Sequence, residues 1–247
     1  MSRAVLVTGS SRGIGAAVAR AFATAGDRVA VHFGSARDAG EAVLASLPGT
    51  GHILVEADLT DPVAVRWMVD DAAEGLGGLD ILVNNAGIYR PNEIDEDDYL
   101  AWQRAWQEVL DVNLFGPANA IWCAVRHMKR GGRIVNVSSR GAFRGEPRHL
   151  SYGASKAALN SLTQSLARAL APRGIVVTAL APGYVETDMA EEYLAGPEGD
   201  VIRAQSPFGR VARVDEVAAA VLFLATPGVE FTSGAILDIN GASYLRS

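Results

Sequence analysis

Cysteine and lysine are almost missing from this 247-residue chain. Cys123 is the only thiol, and Lys129 and Lys156 are the only lysines among 22 basic residues. A lone cysteine cannot close an internal disulfide, and no CxxC or Cys/His ligand cluster is present, which excludes a disulfide-stapled scaffold and a metal site. Long apolar runs are lacking too: Ala218 to Ala225 is far short of the about 20 residues that cross a bilayer. After Met1-Ser2-Arg3 only Ala4 to Val7 are apolar, whereas a secretory leader needs about 7 to 15 such residues. Positive charge is in deficit, with a net charge of −6 and a pI near 5.3, which argues against nucleic acid or an anionic membrane as partner. A cytoplasmic protein is expected, and each of the two surviving lysines calls for a reason.

What is present suits one globular domain. Apolar residues make up 49% and charged residues 20% of the chain, enough for a large core. No linker or change of composition divides residues 1–247, so a single domain is expected. Short β-rich runs alternate with Ala-rich segments of helical period. The predicted pairs are 4–7 and 13–24, 28–33 and 36–46, 52–56 and 62–73, then 79–83 and one long helix over 98–128. Strands at 133–137 and 175–180 follow, with helices at 152–171 and 214–224, and a last strand at 235–239. Such alternation demands right-handed parallel crossovers with helices on both faces. The expected fold is therefore an α/β, doubly wound, Rossmann-like domain of about seven parallel strands. Its ligands bind just beyond the carboxyl ends of the strands. The one long irregular stretch, 183–213, predicts a substrate lid near 184–213.

Gly9, Gly13 and Gly15 follow the first predicted strand and open the first helix. Glycines so placed allow a tight turn, close approach of a pyrophosphate and close helix–sheet packing, while free helix N–H groups attract phosphate. At the end of the second strand a carboxylate would bind the ribose of NAD, yet the chain reads Phe33-Gly34-Ser35-Ala36-Arg37, with no acid before Asp38. A 2′-phosphate would meet no repulsion there, and Arg12, Ser35 and Arg37 could reach it. Solvated surface arginine is the plainer alternative.

Tyr152 and Lys156, four apart, share one helical face, and Ser139 ends the preceding strand. A phenol near pKa 10 is a poor base at neutral pH, but a neighbouring ammonium favours the phenolate. Lysine suits that position better than arginine because its charge is compact and its stem flexible. A tyrosine and a lysine merely sharing an amphipathic face would leave the glycine loop and Ser139 without a reason.

These residues, with Asp58-Leu59, Asn84-Asn85-Ala86-Gly87, Asn113, Ser138-Ser139, Tyr152-Gly153-Ala154-Ser155-Lys156 and Pro182-Gly183, make the chain resemble the short-chain dehydrogenase/reductase family along nearly its whole length. The resemblance implies hydride transfer between a nicotinamide ring and a carbonyl or secondary alcohol. Tyr152 would exchange the proton, Ser139 would bind the substrate oxygen, and Asn113 would hold a water linking Lys156 to solvent. Ser139 is preferred to Ser138 because it stands 13 residues before Tyr152, a separation that many members show. Asp58 would bind adenine, Asn85, Ala86 and Gly87 would line the cofactor, and Pro182, Gly183 and Thr187 would hold the nicotinamide end. Ser11, Ile14, Phe33, Leu59 and Val185 complete the expected contacts, and Tyr152 and Lys156 also touch the cofactor. NADP(H) is the expected cofactor and NAD(H) the alternative.

Within the family the layout resembles 3-oxoacyl-[acyl-carrier-protein] reductases, with two departures. His149 stands where those reductases often carry Gln, and Ala242 replaces a second glycine. The expected substrate is a small carbonyl compound or an acyl thioester. Another small alcohol, sugar or steroid-like substrate, or a non-catalytic nucleotide-sensing role, is the alternative. A sugar-nucleotide epimerase would call for a further C-terminal domain beyond the last predicted strand. Arg140, Arg144 and Arg148 predict a positive pocket mouth for an anionic substrate, unless they pair with Glu186, Glu191 or Glu192. Arg130 and Arg173 match carrier-docking positions of the reductases. Trp102, Trp106, Leu110, Leu114 and Leu162 offer more apolar helix surface than one sheet covers, so a homotetramer is expected.

Overall fold

The computed structural model describes residues 2–95 and 98–246, with Glu192 described by its backbone alone. In chain order the first elements are β1 (Ala4–Val7), α1 (Gly13–Thr24), β2 (Arg28–Phe33), α2 (Arg37–Ser46), β3 (Ile53–Glu56), α3 (Pro62–Leu76) and β4 (Ile81–Asn84). They are followed by α4 (Tyr99–Leu110), α5 (Gly116–His127), β5 (Arg133–Val137), the single turn α6 (Gly141–Arg144) and α7 (Leu150–Leu170). The last are β6 (Val176–Pro182), α8 (Asp188–Ala195), α9 (Gly199–Ala204), α10 (Val214–Leu224) and β7 (Ile236–Ile239).

The strands form a seven-stranded sheet in the order β3-β2-β1-β4-β5-β6-β7, and every pairing is parallel. Side chains alternate across it, as the period of a strand requires. Leu6, Leu82, Ile134 and Val177 face one core with α3 and α5. Val5, Val7, Val83 and Val135 face the other with α1 and α10. Both faces are thus buried under helices, which explains why the strands read as unbroken apolar runs rather than alternating ones.

Three segments depart from the sequence expectation. Helix α3 runs on to Leu76 because that fully buried residue completes the stripe of Val65, Met68, Val69 and Ala72. Left-handed Gly77, at φ +70°, then stops it. The long helix over 98–128 is interrupted by a π-turn at Asp111–Phe115, followed by Gly116-Pro117. An extra residue per turn there rotates Asn113 inward, and such turns mark functional positions. Finally, 183–213 is not irregular throughout. It carries α8 and α9, and its ends are joined by a bridge between Val185 and Ala212.

Candidate active site

The carboxyl ends of β1, β2, β4, β5 and β6 open into a cavity of about 600 Å³, capped by α8. At its β1 end the loop Thr8–Gly15 is held from three sides. Gly9 N donates to His32 Nδ1 at 2.8 Å, and His32 Nε2 meets the Ala57 carbonyl at 3.1 Å. Burial holds His32 below its ordinary pKa, so it stays neutral, with Nδ1 free to accept. Asn85 Nδ2 donates to the Thr8 and Gly9 carbonyls, both at 3.0 Å, while Thr8 Oγ1 accepts from Asn85 N and Ala86 N.

The glycines are required by geometry. A Cβ on Gly15 would stand 2.2 Å from the Gly9 carbonyl, and one on Gly9 would stand 2.8 Å from Ala86 Cα. Gly13 is left-handed at φ +53° and faces Thr187 across the cavity. Bare backbone, a helix N-terminus and exposed Arg12, which has no partner among the described residues, make a cradle that fits a dinucleotide.

Most of the expected cofactor residues line this cavity. Ser11, Arg12, Ile14, Ser35, Asp58 and Leu59 flank the cradle. Ala86 and Gly87 follow Asn85, and Pro182, Gly183, Val185 and Thr187 stand opposite them. Asp58 Oδ1 is taken by Thr60 N and Oγ1, at 2.9 and 2.8 Å. Two expectations are corrected. Phe33 is buried against α2, with Gly40 packed on its ring, and does not line the cavity; Gly34 and Ser35 do. Arg37 pairs with Glu56 at 3.0 Å on the surface, lies over the Phe33 ring and does not line the cavity.

Toward β5 and α7 the cavity narrows onto Ser139, Tyr152 and Lys156. Ser139 Oγ accepts from Gly141 N at 3.0 Å and is hydrogen-bonded to Tyr152, whereas Ser138 Oγ donates to the Lys156 carbonyl. The sequence expectation of a lowered phenol is overturned. Burial pushes Tyr152 up to about 12, with the Ser139 hydrogen bond opposing it and Glu146 adding to it. Lys156 does not offset this burial, because its Nζ donates to the Val137 carbonyl at 2.8 Å and stands 5.8 Å from the Tyr152 ring centre. Burial lowers Lys156 itself to about 8. The arrangement offers a neutral phenol with a hydroxyl beside it, suited to giving a proton to an oxygen that gains charge.

Asn113 Nδ2 donates to the Ile88 carbonyl and Ser155 Oγ, and its Oδ1 accepts from Ile88 N. Both side-chain donors are spent on the protein, so the amide braces the loop after β4 rather than holding a water by donation. Ala242 is left-handed at φ 58°, a conformation that glycine takes without strain.

The arginines after Ser139 do not form a free positive mouth. Arg140 is buried and donates to Ser243 Oγ at 2.5 Å and Gln205 Oε1 at 2.6 Å. Arg144 lies 3.7 Å from Glu146, and Arg148 pairs with Glu93 at 2.9 Å. Neither Glu186 nor Glu191 takes part, and the Glu192 side chain lies outside the described structure. Arg130 and Arg173 sit at the amino ends of β5 and β6, opposite the cavity, bonded to the Pro172 and Val125 carbonyls.

Sequence reasoning missed His32, Glu146, and Tyr89 with its neighbours His149 and Tyr193. Tyr89 had a signal: it lies two residues past Gly87, beyond the carboxyl end of β4, where ligands are expected. His149 stood out only as a departure from the reductase layout, with no role attached, and no local pattern marks His32, which supports the glycine loop from behind.

Residues 9–242 match the family described as "Enoyl-(Acyl carrier protein) reductase". A 3-oxoacyl-[acyl-carrier-protein] reductase of Staphylococcus aureus is 35% identical over 249 residues, covering 99% of each chain. The cis-4-hydroxycyclohexanecarboxylate dehydrogenase of Sinomonas cyclohexanicum is 41% identical over 97% of this chain and 95% of its own. A short-chain dehydrogenase from Burkholderia cenocepacia, solved in complex with NADP, superposes with a TM-score of 0.89 at 41% identity, over 98% of this chain and 97% of that one. Likeness over whole chains, on a parallel sheet with the glycine cradle at one end of its cavity and Ser139, Tyr152 and Lys156 at the other, has one reading. The chain belongs to the short-chain dehydrogenase/reductase family, oxidoreductases that interconvert carbonyls and alcohols with a nicotinamide cofactor.

Proposed function

We propose that this enzyme reduces a ketone to a secondary alcohol with NADPH and runs the reverse reaction with NADP+. The observation that supports the reading is Tyr152 beside Ser139 on the cavity wall, its phenol held up to about 12 by desolvation and so neutral, a proton donor in its donating state. When bound, the cofactor supplies the hydride for the carbonyl carbon. Tyr152 gives its proton to the carbonyl oxygen, and Ser139 steadies that oxygen as charge gathers on it. Lys156, charged below about pH 8 and fixed to Val137, keeps a positive charge at the end of the cavity where the phenolate forms and would hold the cofactor ribose. Asn113 keeps the loop of Gly87 and Ile88 in place, and a Cβ on Gly87 would lie 3.2 Å from its Oδ1.

Preference for the 2′-phosphorylated cofactor rests on Arg12 and on the absence of any acid at Gly34 and Ser35. The Burkholderia structure, solved with NADP, agrees with this reading. One domain over 1–247 serves both cofactor and substrate, with the lid near 184–213. No helix among the described residues is long and apolar enough to cross a membrane, and a chain with one cysteine suits a reducing, cytoplasmic compartment. The relatives' names give an open acyl thioester in one case and a ring alcohol in the other, so a ketone or secondary alcohol is the class they share. The thioester reading rests on the relatives alone, since Arg130 and Arg173 face away from the cavity of their own chain.

The test is to incubate pure protein with NADPH and a panel of ketones that includes a β-ketoacyl thioester. Turnover is expected, and Tyr152→Phe should keep NADPH binding while losing about 10²–10⁴-fold in kcat, as removal of a general acid does. A variant of undiminished kcat refutes the assignment.

A further inference from the structure

The wall of the cavity beside Tyr152 is aromatic, and a histidine that the proposed chemistry does not use stands behind it. Tyr89 meets Tyr152 edge-on, with ring centres 4.7 Å apart and planes at 86°. His149 lies flat on Tyr89, 3.6 Å between centres and 10° between planes. Its Nε2 shares a 3.1 Å hydrogen bond with the hydroxyl of Tyr193 on α8, and the Tyr193 ring meets Tyr89 at 5.8 Å. Tyr89, Tyr184, Met189 and Tyr193 line the cavity, while His149 is 3% exposed and does not.

The backbone fixes the same group. Asn92 N donates to the Arg148 carbonyl at 3.0 Å, and Asn92 Oδ1 accepts from Ser151 N at 3.3 Å. The loop that carries Tyr89 is therefore stitched to the start of α7, which carries Tyr152. His149 stays neutral because burial and Arg148 lower its pKa to about 4, so the stack adds no charge to the wall. The charged groups nearby, Arg140 and Glu146, are occupied: Arg140 by Ser243 and Gln205, Glu146 by Arg144.

A wall fixed in this way favours a rigid ligand. Tyr89 has one face covered by His149 and one edge set against Tyr152, so it cannot turn to follow a flexible chain. A ring presents its flat apolar body with no rotors to freeze, whereas an open chain must be ordered against the wall. We propose that this wall selects ketones and secondary alcohols whose reacting carbon belongs to a carbocyclic ring, and that His149 is the positioning residue that sets it. The proposal rests on the reductase reading above and names its substrate class.

The experiment compares kcat/KM with NADPH for cyclohexanone, 2-tetralone, 2-hexanone and an acetoacetyl thioester. Calorimetry of cyclohexanone and 2-hexanone binding to the enzyme–NADP+ complex, which has no hydride to give, is a second readout. The ring compounds should lead by at least about tenfold in both, the scale of one or two aromatic contacts and several freed rotors. His149→Gln, which keeps a hydrogen-bonding group and loses the stack, should raise KM for cyclohexanone and erase most of the ratio with kcat little changed. His149→Phe, which keeps the stack, should restore the ratio. Equal treatment of rings and chains by the wild type, or a lead for the thioester, overturns the substrate class. An unchanged ratio in His149→Gln overturns the positioning role. Absence of turnover with every ketone would strike the reductase reading instead, and the calorimetric ratio would still decide whether the wall selects rings. Should His149→Gln fail to fold, the two wild-type ratios still judge the class.

Discussion

At Tyr152 two influences compete, and burial wins: the phenol rises to about 12 while Lys156 falls to about 8. Both shifts come from desolvation, which disfavours the charged form of either group. Tyr152 thus stays protonated through neutral pH, and Lys156 is the group that titrates near physiological conditions. The kcat/KM for reduction should be level through neutral pH and fall as pH rises past about 8, where the Lys156 ammonium is lost. A stopped or steady-state pH profile of NADPH consumption reads this directly, and Lys156→Arg should remove the fall while leaving a badly impaired enzyme. Cofactor choice is decided at another single position. The Phe33 side chain points into the α2 interface, so a carboxylate there would be buried away from the cavity. Gly34 lines it, and a Cβ at Gly34 would meet nothing closer than the Ala57 carbonyl at 3.8 Å. Gly34→Asp should therefore fold and shift the NADPH/NADH ratio of kcat/KM toward NADH by about tenfold or more, since like-charge juxtaposition costs several kcal/mol.

Among the elements, α7 has the most demanding placement, because it must bring both Tyr152 and Lys156 to the end of β5. A buried polar chain fixes it to the sheet. Asn84 Nδ2 donates to Asn136 Oδ1 at 2.8 Å, Asn136 Nδ2 to Thr163 Oγ1 at 2.9 Å, and Thr163 Oγ1 to the Leu159 carbonyl at 2.8 Å. Asn84 Oδ1 has no partner among the described residues. Asn136→Ala leaves the Asn84 amide unpaired in the core and should cost about 2–3 kcal/mol in denaturant unfolding. It should also lower kcat, whereas the exposed neighbour Ala154→Ser on α7 should leave stability within about 0.5 kcal/mol. The π-turn before α5 belongs to the same scale. It turns Asn113 onto the Ile88 backbone and so ties the loop after β4 to α7 through Ser155.

For the whole molecule, exposed large apolar side chains are spread over several elements, and two groups among them bear on assembly. Leu100 on α4, Phe115, and Trp122 on α5 are 62%, 51% and 56% exposed, and Tyr99 joins them. Phe223 on α10, Phe231, and Leu237 on edge strand β7 form the second group. Trp102 and Trp106, expected as interface residues, are half-buried in the single chain, with ring centres 5.6 Å apart. We propose that two such faces, each joined about its own two-fold axis, build the four-membered assembly expected from the sequence. An unpaired edge strand adds reason to cover the second patch. Light scattering at micromolar concentration should report a tetramer, and Trp122→Glu should reduce it to a dimer by charging one patch alone. A wild-type monomer contradicts the expectation.

The alternation of short apolar strands with Ala-rich helices determined the parallel, doubly wound sheet, because only right-handed crossovers bury both faces of such strands. Glycines at 9, 13 and 15 and the spacing of Tyr152 and Lys156 were legible for a similar reason. Their chemistry depends on backbone freedom and on one helical turn, both of which are local. Tertiary structure decided the rest. It sent Phe33 into a core and left Gly34 facing the cavity, tied the arginines after Ser139 to Ser243, Gln205, Glu146 and Glu93, and reversed the expected shift of Tyr152. It also gathered Tyr89, His149 and Tyr193, residues up to 104 positions apart, into one wall. Burial and long-range pairing set each of these, and neither has a period or a spacing that a single chain displays.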